Sequence, residues 1–153
     1  MKKLDRKGFT LIEILVVVAI IGILAGVVLV GLRGTGPQAR DSRRAADLRQ
    51  VQNGLELYYN KNSKYPEVTT WTALRGELVG ATANLGISNL PEDPVNDTAT
   101  SKIYSYAAST GGTSYVLRAL LEEVGSKLLN NSVEIVDFDA TFDCSGQNYC
   151  VQL

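Results

Sequence analysis

The chain has no histidine, and its 153 residues include only two cysteines and one tryptophan. Without histidine, the commonest general base and all histidine-dependent catalytic triads are excluded. Two thiols alone also fall short of the four protein ligands of a structural zinc site. We therefore predict that the protein is not an enzyme and holds no such metal.

Charge is nearly missing from residues 9–32, where Glu13 is the only charged side chain. As a helix, this segment would extend about 36 Å, which exceeds the roughly 30 Å of bilayer hydrocarbon. We predict a transmembrane helix. A carboxylate placed in hydrocarbon costs about 2.5–3.5 kcal/mol on insertion scales, and such residues are by default functional.

The rest of the chain divides into a basic and an acidic part. Residues 33–65 carry seven Lys/Arg and three Asp/Glu, whereas residues 66–153 carry four and eleven. The basic excess is modest and lacks the interleaved aromatic residues that are typical of nucleic-acid binding surfaces. Nucleic-acid binding is therefore poorly supported.

The apolar N-terminal segment has three interpretations. A secretory signal peptide has an apolar stretch of about 7–15 residues, which is shorter than the stretch found here. A plain membrane anchor fits the length but leaves Glu13 unexplained. The third interpretation accounts for the whole segment, and it rests on a family resemblance.

The segment KGFTLIEILVVVAIIGILA resembles the N-terminus of type IV prepilins and type II secretion pseudopilins. Its short basic leader ends at Gly8 and is followed by Phe9, Thr10, Leu11 and Glu13, as in that family. The resemblance implies that a prepilin peptidase cleaves after Gly8 and that the new amino terminus at Phe9 is N-methylated. Gly8 and Phe9 are thus the predicted processing residues.

The same resemblance implies that Glu13 acts in assembly. Its carboxylate would meet the positive amino terminus at Phe9 of a neighbouring subunit in a helical filament. Pairing recovers much of the cost of burying a charge. Two unit charges 4 Å apart attract by about 1 kcal/mol in water and ~4 kcal/mol at an effective dielectric constant of 20. We therefore predict that Glu13 and Phe9 are assembly residues.

A second helix is predicted from Ala39 to about Asn62, because apolar residues recur there at spacings of three and four. The residues of this stripe are Leu48, Val51, Leu55 and Tyr58. The glycine-rich stretch 31–37 before it is the predicted site of a kink or local unwinding. Tyr65-Pro66 should follow the end of the helix, as in major pseudopilins.

The part beyond Pro66 predicts a short helix and a sheet. WTALRGEL (71–78) has Leu74 and Leu78 on one helical face. KIYSYAASTGGTSYVLRALLEE (102–123) alternates as two strands around a Gly-Gly turn, and SVEIVDFD (132–139) is a third strand candidate. We interpret Tyr58, Tyr59 and the tyrosines of the sheet as core residues.

Together these patterns predict an α+β, pilin-like fold. A long N-terminal helix, with a transmembrane half and an amphipathic half, should pack on a small C-terminal antiparallel β-sheet. The predicted organisation is a leader peptide at 1–8, a transmembrane and assembly helix at 9–32, an amphipathic stalk at 33–65 and a globular head at 66–153.

The cysteines, Cys144 and Cys150, are predicted to form a disulfide, as expected for an even pair in an exported segment. Asp137, Asp139 and Asp143 offer oxygen ligands for calcium, and the resemblance implies a calcium site in the C-terminal loop. Because the spacing here differs from the family's, we favour a solvated acidic edge. We predict no cofactor and keep calcium as the weaker alternative.

The predicted function is that of a structural subunit which polymerises through its N-terminal helix into a type IV pilus or type II secretion pseudopilus. The implied partners are identical or homologous pilin subunits in a helical homo-polymer, a prepilin peptidase, an inner-membrane assembly platform and the membrane. The subunit would cross the inner membrane once, then enter an extracytoplasmic filament in the periplasm or at the cell surface. The alternative is a single-pass membrane-anchored extracytoplasmic binding module.

Overall fold

The structure is a computed structural model that describes residues 8–31, 35–80, 84–133 and 142–153. The chain divides into two compact units, Met1–Gly36 and Pro37–Leu153. The first unit contains helix α1 (Leu11–Gly31). Among the described residues, no helix is both long enough and apolar enough to cross a membrane.

Helix α2 (Thr35–Asn62) begins four residues before the predicted start at Ala39. Pro37 had suggested that the helix could not extend so far. However, Pro37 is the third residue of the helix, within the first turn, where a backbone N–H has no intrahelical acceptor and a proline is tolerated. The predicted kink includes residues 32–34, which lie outside the described residues.

The apolar stripe of α2 faces the core, as predicted. Leu48, Val51 and Leu55 are buried, and Tyr58 is half-buried against the same cluster. Tyr59 is exposed, so its assignment to the core is wrong. Its ring lies 4.8 Å from the ring of Tyr65, at the edge of that core.

Helix α3 (Trp71–Val79) corresponds to the predicted short helix. Its N-cap is Thr70, whose side-chain oxygen accepts a hydrogen bond from the backbone N–H of Ala73 at 3.2 Å. Leu74 and Leu78 are both buried. The spacing of the two leucines therefore predicted both this helix and its buried face correctly.

The sheet has three antiparallel strands in the order β1 (Ser105–Ala108), β2 (Tyr115–Leu120) and β3 (Asn148–Gln152). The β1–β2 turn packs on the end of α2: Tyr65 N–H donates to the carbonyl of Gly112 at 2.8 Å. Gly112 has a φ of +64°, and a Cβ there would lie 2.5 Å from the carbonyl oxygen of Tyr65. The close approach requires glycine.

The third strand was not predicted where it occurs. Most of the candidate at 132–139 lies outside the described residues, but Val133 N–H donates to the carbonyl of Cys150 in β3 at 3.1 Å. A 3₁₀-helix (Lys127–Asn131) precedes this contact. Strand β3 itself is a short segment around the second cysteine.

The core lies between α2, α3 and the sheet. Tyr104, Tyr106 and Tyr115 are buried, as predicted, and Tyr106 donates to the carbonyl of Pro66 at 2.8 Å. The protein therefore has the predicted α+β, pilin-like fold, in which a helix packs on a small three-stranded antiparallel sheet.

Candidate functional site

The predicted cleavage site lies in an exposed stretch before α1. Gly8 and Phe9 are outside regular structure, and Phe9 is 86% exposed. A Cβ added to Gly8 would find no atom within 4 Å, and its φ does not lie in the left-handed region. The described fold therefore does not require glycine at position 8.

Thr10 and Glu13 form a capping box at the start of α1. The Thr10 backbone N–H and hydroxyl each donate to Glu13 Oε2 at 2.7 Å, and Glu13 N–H donates to Thr10 Oγ1 at 3.3 Å. This reciprocal arrangement satisfies backbone donors that a helix N-terminus leaves free. A carboxylate also interacts favourably with the positive end of the helix dipole.

Glu13 thus has a local structural role that the sequence analysis missed. The signal was available, because T-x-x-E before an apolar run is the sequence pattern of a capping box. Glu13 follows Phe9 by four residues and lies in the first turn of α1. The predicted assembly residues therefore lie at the same end of α1.

The side chains of residues 11–26 of α1 are uncovered, and all of them except Glu13 are uncharged. Every residue from 11 to 26 is exposed, including Leu11 at 82% and Ile23 at 70%. Soluble monomers rarely expose contiguous apolar patches larger than a few hundred Å². The helix therefore presents a surface suited to lipid or to the helices of other subunits.

The second unit contains a buried ionic cluster that the sequence analysis did not predict. Arg44 is fully buried in α2, and its guanidinium binds Asp93 through two hydrogen bonds of 2.6 and 2.9 Å. It also contacts Asp41 at 2.7 Å and Glu122 at 2.8 Å. We call Asp41, Arg44, Asp93 and Glu122 the Arg44 cluster.

The Arg44 cluster joins three parts of the second unit, Pro37–Leu153. Asp93 lies in the segment LPEDP, and Glu122 follows β2. Asp41 Oδ2 accepts hydrogen bonds from the backbone N–H groups of Glu122 and Glu123 at 3.1 and 2.9 Å. The cluster therefore fixes both loops against the N-terminal part of α2.

Electrostatics within the cluster favour the charged forms. Burial alone would lower the pKa of Arg44, but hydrogen bonds to Asp93, Glu122 and Asp41 outweigh it and raise the pKa. The hydrogen bonds from Arg40 lower the pKa of Glu122 to about 2, against the opposing effect of burial and with further help from Arg44. Charge pairing thus compensates for the loss of solvent.

The sequence did contain a sign of this cluster. Arg44 lies three residues after Asp41 and four residues before Leu48. Asp41 and Arg44 therefore continue the apolar stripe of α2. Charged residues in such a stripe predict buried partners. Those partners, Asp93 and Glu122, are 49 and 78 residues away from Arg44, so their identity could not be inferred from spacing.

We expect acid to weaken the head through Glu122. Its pKa falls on folding from the ordinary 4.5 to about 2, so its stabilisation is present above pH 4.5 and is lost as the pH falls towards 2. Urea unfolding of the wild type should lose roughly 2 kcal/mol more between about pH 6 and pH 3 than unfolding of Glu122→Gln. Glu123→Gln, at an exposed position, should behave like the wild type. Equal acid sensitivity in all three proteins would refute the assignment.

The predicted disulfide between Cys144 and Cys150 is present in the structure. Cys150 is buried in β3, and Cys144 is half-buried just before the turn that leads into that strand. The bridge closes a short loop, for which chain entropy predicts about 2.4 kcal/mol of stabilisation. It holds β3 beside the turn that leads into it.

We expect no free thiol in protein isolated from its native cell. Alkylation of unreduced, denatured protein should leave both cysteines unmodified, and reduction before alkylation should modify both. Mass spectrometry distinguishes the two states. Modification of both cysteines without prior reduction would show that the pair is not bridged in the cell.

The calcium candidates are only partly described. Asp137 and Asp139 lie outside the described residues, whereas Asp143 accepts a hydrogen bond from Ser145 N–H at 2.8 Å, which lowers its pKa. Within the described ranges, no group of three or more acidic, cysteine or histidine residues could hold a metal ion. The favoured solvated acidic edge and the weaker alternative of a calcium site both stay predictions.

Comparison with known proteins finds a matching family model and several curated relatives. The family model described as the prokaryotic N-terminal methylation motif matches residues 3–29. Type II secretion system core protein G of Klebsiella pneumoniae is 36% identical over 87 residues, which cover 57% of this chain and 61% of the relative. The protein of the same name from Vibrio cholerae serotype O1 is 42% identical over 67 residues, covering 43% and 46%.

The corresponding Escherichia coli K12 protein is 34% identical over 89 residues, which cover 58% of this chain and 51% of the relative. The chain thus spans about half of the length of the curated relatives it matches. No solved structure matches it. The resemblance inferred from residues 7–25 is confirmed: the chain matches the prokaryotic N-terminal methylation motif and is similar to type II secretion system core protein G of several bacteria.

Proposed function

We propose that this protein is a structural subunit that polymerises through α1 into a helical filament. The observation that carries the proposal is the arrangement at the N-terminus. An accessible Gly8-Phe9 bond precedes a helix whose residues 11–26 are all exposed, and the single carboxylate among them, Glu13, lies in the first turn. The match to the methylation motif supports this assignment.

Processing prepares the subunit for assembly. A prepilin peptidase cleaves after Gly8, which releases the amine of Phe9 for methylation. The lost leader carries a net charge of +3, so the chain's net charge changes from −1 to −4. Before assembly, residues 9–32 hold the subunit in the inner membrane, and the head lies on the extracytoplasmic side.

Assembly uses the charge of Glu13. When α1 enters the apolar interior of a filament, its carboxylate needs a cation, because an unpaired buried charge is strongly unfavourable. The amine of Phe9 of a neighbouring subunit supplies one at the same helix end. Such a pair sets the axial register of the incoming subunit more than it adds net stability.

Between the two filament classes, we propose a type II secretion pseudopilus. The support is that three relatives carry the name type II secretion system core protein G. The partners are copies of this chain or homologous subunits, the prepilin peptidase and an inner-membrane assembly platform. The competing proposal, a membrane-anchored binding module, requires no cleavage and no filament.

Substitution at Gly8 tests the proposal. We expect Gly8→Lys, coexpressed with a prepilin peptidase, to retain residues 1–8, because a long side chain cannot enter a peptidase site that accepts glycine. The chain's own fold should not change, since a side chain at this position meets no atom within 4 Å at its Cβ. Gel mobility and intact mass measure the cleaved fraction.

Ser42→Lys, at an exposed position of α2, is the matched control. It adds the same charge away from the cleavage site and should be processed like the wild type. A wild-type chain that keeps its leader yet functions normally in its native cell would favour the binding module instead.

A further inference from the structure

A groove of about 280 Å³ lies between residues 50–57 of α2 and the segment 86–91 of the second unit. We call it the α2 groove. Leu57, which is 49% exposed, and the half-buried Ile87 give it an accessible apolar surface. None of the described residues that line it is charged. The α2 groove therefore suits an uncharged apolar side chain.

A basic side chain borders the α2 groove. Arg49 is exposed and lies one helical turn before Asn53, which lines the groove. Within the described ranges, the Arg49 guanidinium has no carboxylate partner, whereas Arg40, Arg43 and Arg44 each pair with one. An apolar groove beside an unpaired cation predicts an occupant that combines an apolar side chain with an acidic one.

The same chain exposes such a combination at the turn after β2. Ser126 N–H donates to the carbonyl of Glu123 at 3.3 Å, so residues 123–126 form a β-turn, which we call the Val124 turn. Val124 at its corner is 83% exposed, and Gly125 beside it has a φ of +74°. In the part of the chain that the structure describes, the exposed carboxylate of Glu123 has no ion-pair partner.

The Val124 turn is held at both ends. On one side of its corner, the backbone N–H of Glu123 donates to Asp41 Oδ2 at 2.9 Å. On the other side, Ser126 is buried, and its hydroxyl accepts a hydrogen bond from Leu128 N–H at 3.4 Å. A preorganised turn loses little conformational entropy when it binds a partner.

The α2 groove and the Val124 turn lie on different sides of α2. Asp41, which anchors the turn, and Leu57 in the groove are about 160° apart around the helix and about 24 Å apart along its axis. A contact between them joins two copies of the chain. Because the two surfaces differ, this contact does not close a two-fold dimer. Head-to-tail contacts of this kind generate rings or open helical filaments.

We propose that the Val124 turn of one copy docks in the α2 groove of a neighbouring copy in the filament. Val124 lies against Leu57 and Ile87, and the carboxylate of Glu123 pairs with Arg49 of that neighbour. With their α2 helices parallel, the two copies are displaced by about 24 Å along the helix axis. The inference rests on the proposed function, because it assigns a contact within the proposed filament.

Engineered cysteines test this contact in filaments sheared from the native cell. In Leu57→Cys/Val124→Cys, each chain carries both halves of the contact. Oxidation should therefore link successive copies into a ladder of covalent multimers on non-reducing gels. Each single variant should give no ladder, since its cysteine meets no second engineered cysteine. The matched control is Thr72→Cys/Val124→Cys, in which Thr72 is exposed on α3 outside the groove. It should also give no ladder.

Charge reversal tests the ionic part of the contact. Glu123→Arg and Arg49→Glu should each lower the yield of sheared filaments about fivefold, because each places like charges at the contact. The double variant restores an opposite pair and should recover to within about twofold of the wild type. As placed in the described structure, Glu123 and Arg49 do not pair within one copy, so a role confined to a single chain would not produce this rescue. Near-ultraviolet circular dichroism checks that each variant is folded.

The outcomes separate this contact from the proposed function. Native cells whose filaments lack the wild-type chain would overturn both. Filaments of Leu57→Cys/Val124→Cys without a ladder, or an equally strong ladder in the Thr72→Cys control, would overturn the contact alone. So would single charge reversals that lose no filaments, or a double reversal that does not recover. Should the cysteine pair itself prevent assembly, the charge reversals decide.

Discussion

Glu13→Gln is expected to leave cleavage after Gly8 intact and to reduce filament growth at least about tenfold. Removal of the charge makes insertion of α1 into an apolar environment easier. Any loss must therefore arise at a step that uses the charge. A charge pair worth up to ~4 kcal/mol in a partly dry interface is large enough for such an effect.

Because of the capping box, this substitution should remove the charge and leave the local structure unchanged. Glutamine serves at the same position of a capping box as glutamate, so Glu13→Gln should retain the hydrogen bond from Thr10 N–H and the start of α1. Thr10→Val is the complementary change, because it removes the hydroxyl that bonds Glu13 and keeps the charge. If pairing with an amine is what matters, Thr10→Val should reduce growth less than Glu13→Gln.

Filament length is measured by shearing and electron microscopy, and cleavage by intact mass. Removing the positive charge of the Phe9 amine in the Glu13→Gln background should add little further loss, as expected when two groups act as one pair. Filaments of normal length in Glu13→Gln would refute the pairing role. They would leave Glu13 with its capping role alone.

Arg44→Met is expected to destabilise the head by about 3–5 kcal/mol, because it leaves buried carboxylates without their guanidinium. The side chain of Arg44 is completely buried, as is that of its partner Asp93. Methionine is of similar length and fills much of the space, so the loss should come chiefly from charge and hydrogen bonding. The stability of Arg44→Lys should lie between those of the wild type and Arg44→Met. Lysine keeps the charge but cannot bind Asp93 through a planar fork.

Urea unfolding of the full chain, followed by the fluorescence of Trp71, measures this effect. Trp71 packs against the core and lies in the head, so α1 does not contribute to the signal. Arg43→Met is the matched control: its side chain is 61% exposed and pairs with Asp47 at 3.6 Å, so it should cost less than about 1 kcal/mol. Similar values for the two variants would show that the Arg44 cluster does not stabilise the fold.

Elements with a regular apolar period could be predicted from the sequence. The stripe of Leu48, Val51 and Leu55 specified the buried face of α2, and Leu74 with Leu78 specified α3. Strand β3 was missed because Asn148–Gln152 directly follows the turn of the disulfide loop and includes its second cysteine. Its pairing with β2 is set by tertiary contacts rather than by a local pattern.

The polar sites were predicted less well, for a physical reason. The charge of Glu13 drew attention to intersubunit pairing, although the spacing from Thr10 also specified a local cap. Arg44 was overlooked because charged residues usually lie on the solvated face of a helix. Its burial depends on Asp93 and Glu122, which are remote in sequence and reach it only in the folded head.

The measurement that tests the central claim most directly is the intact mass of the protein recovered from sheared filaments of its native cell. The account predicts a chain that begins at Phe9, carries one added methyl group on its amino terminus and retains the disulfide. Filaments whose subunits still contain residues 1–8 would contradict it. So would the absence of this chain from the filaments of its native cell.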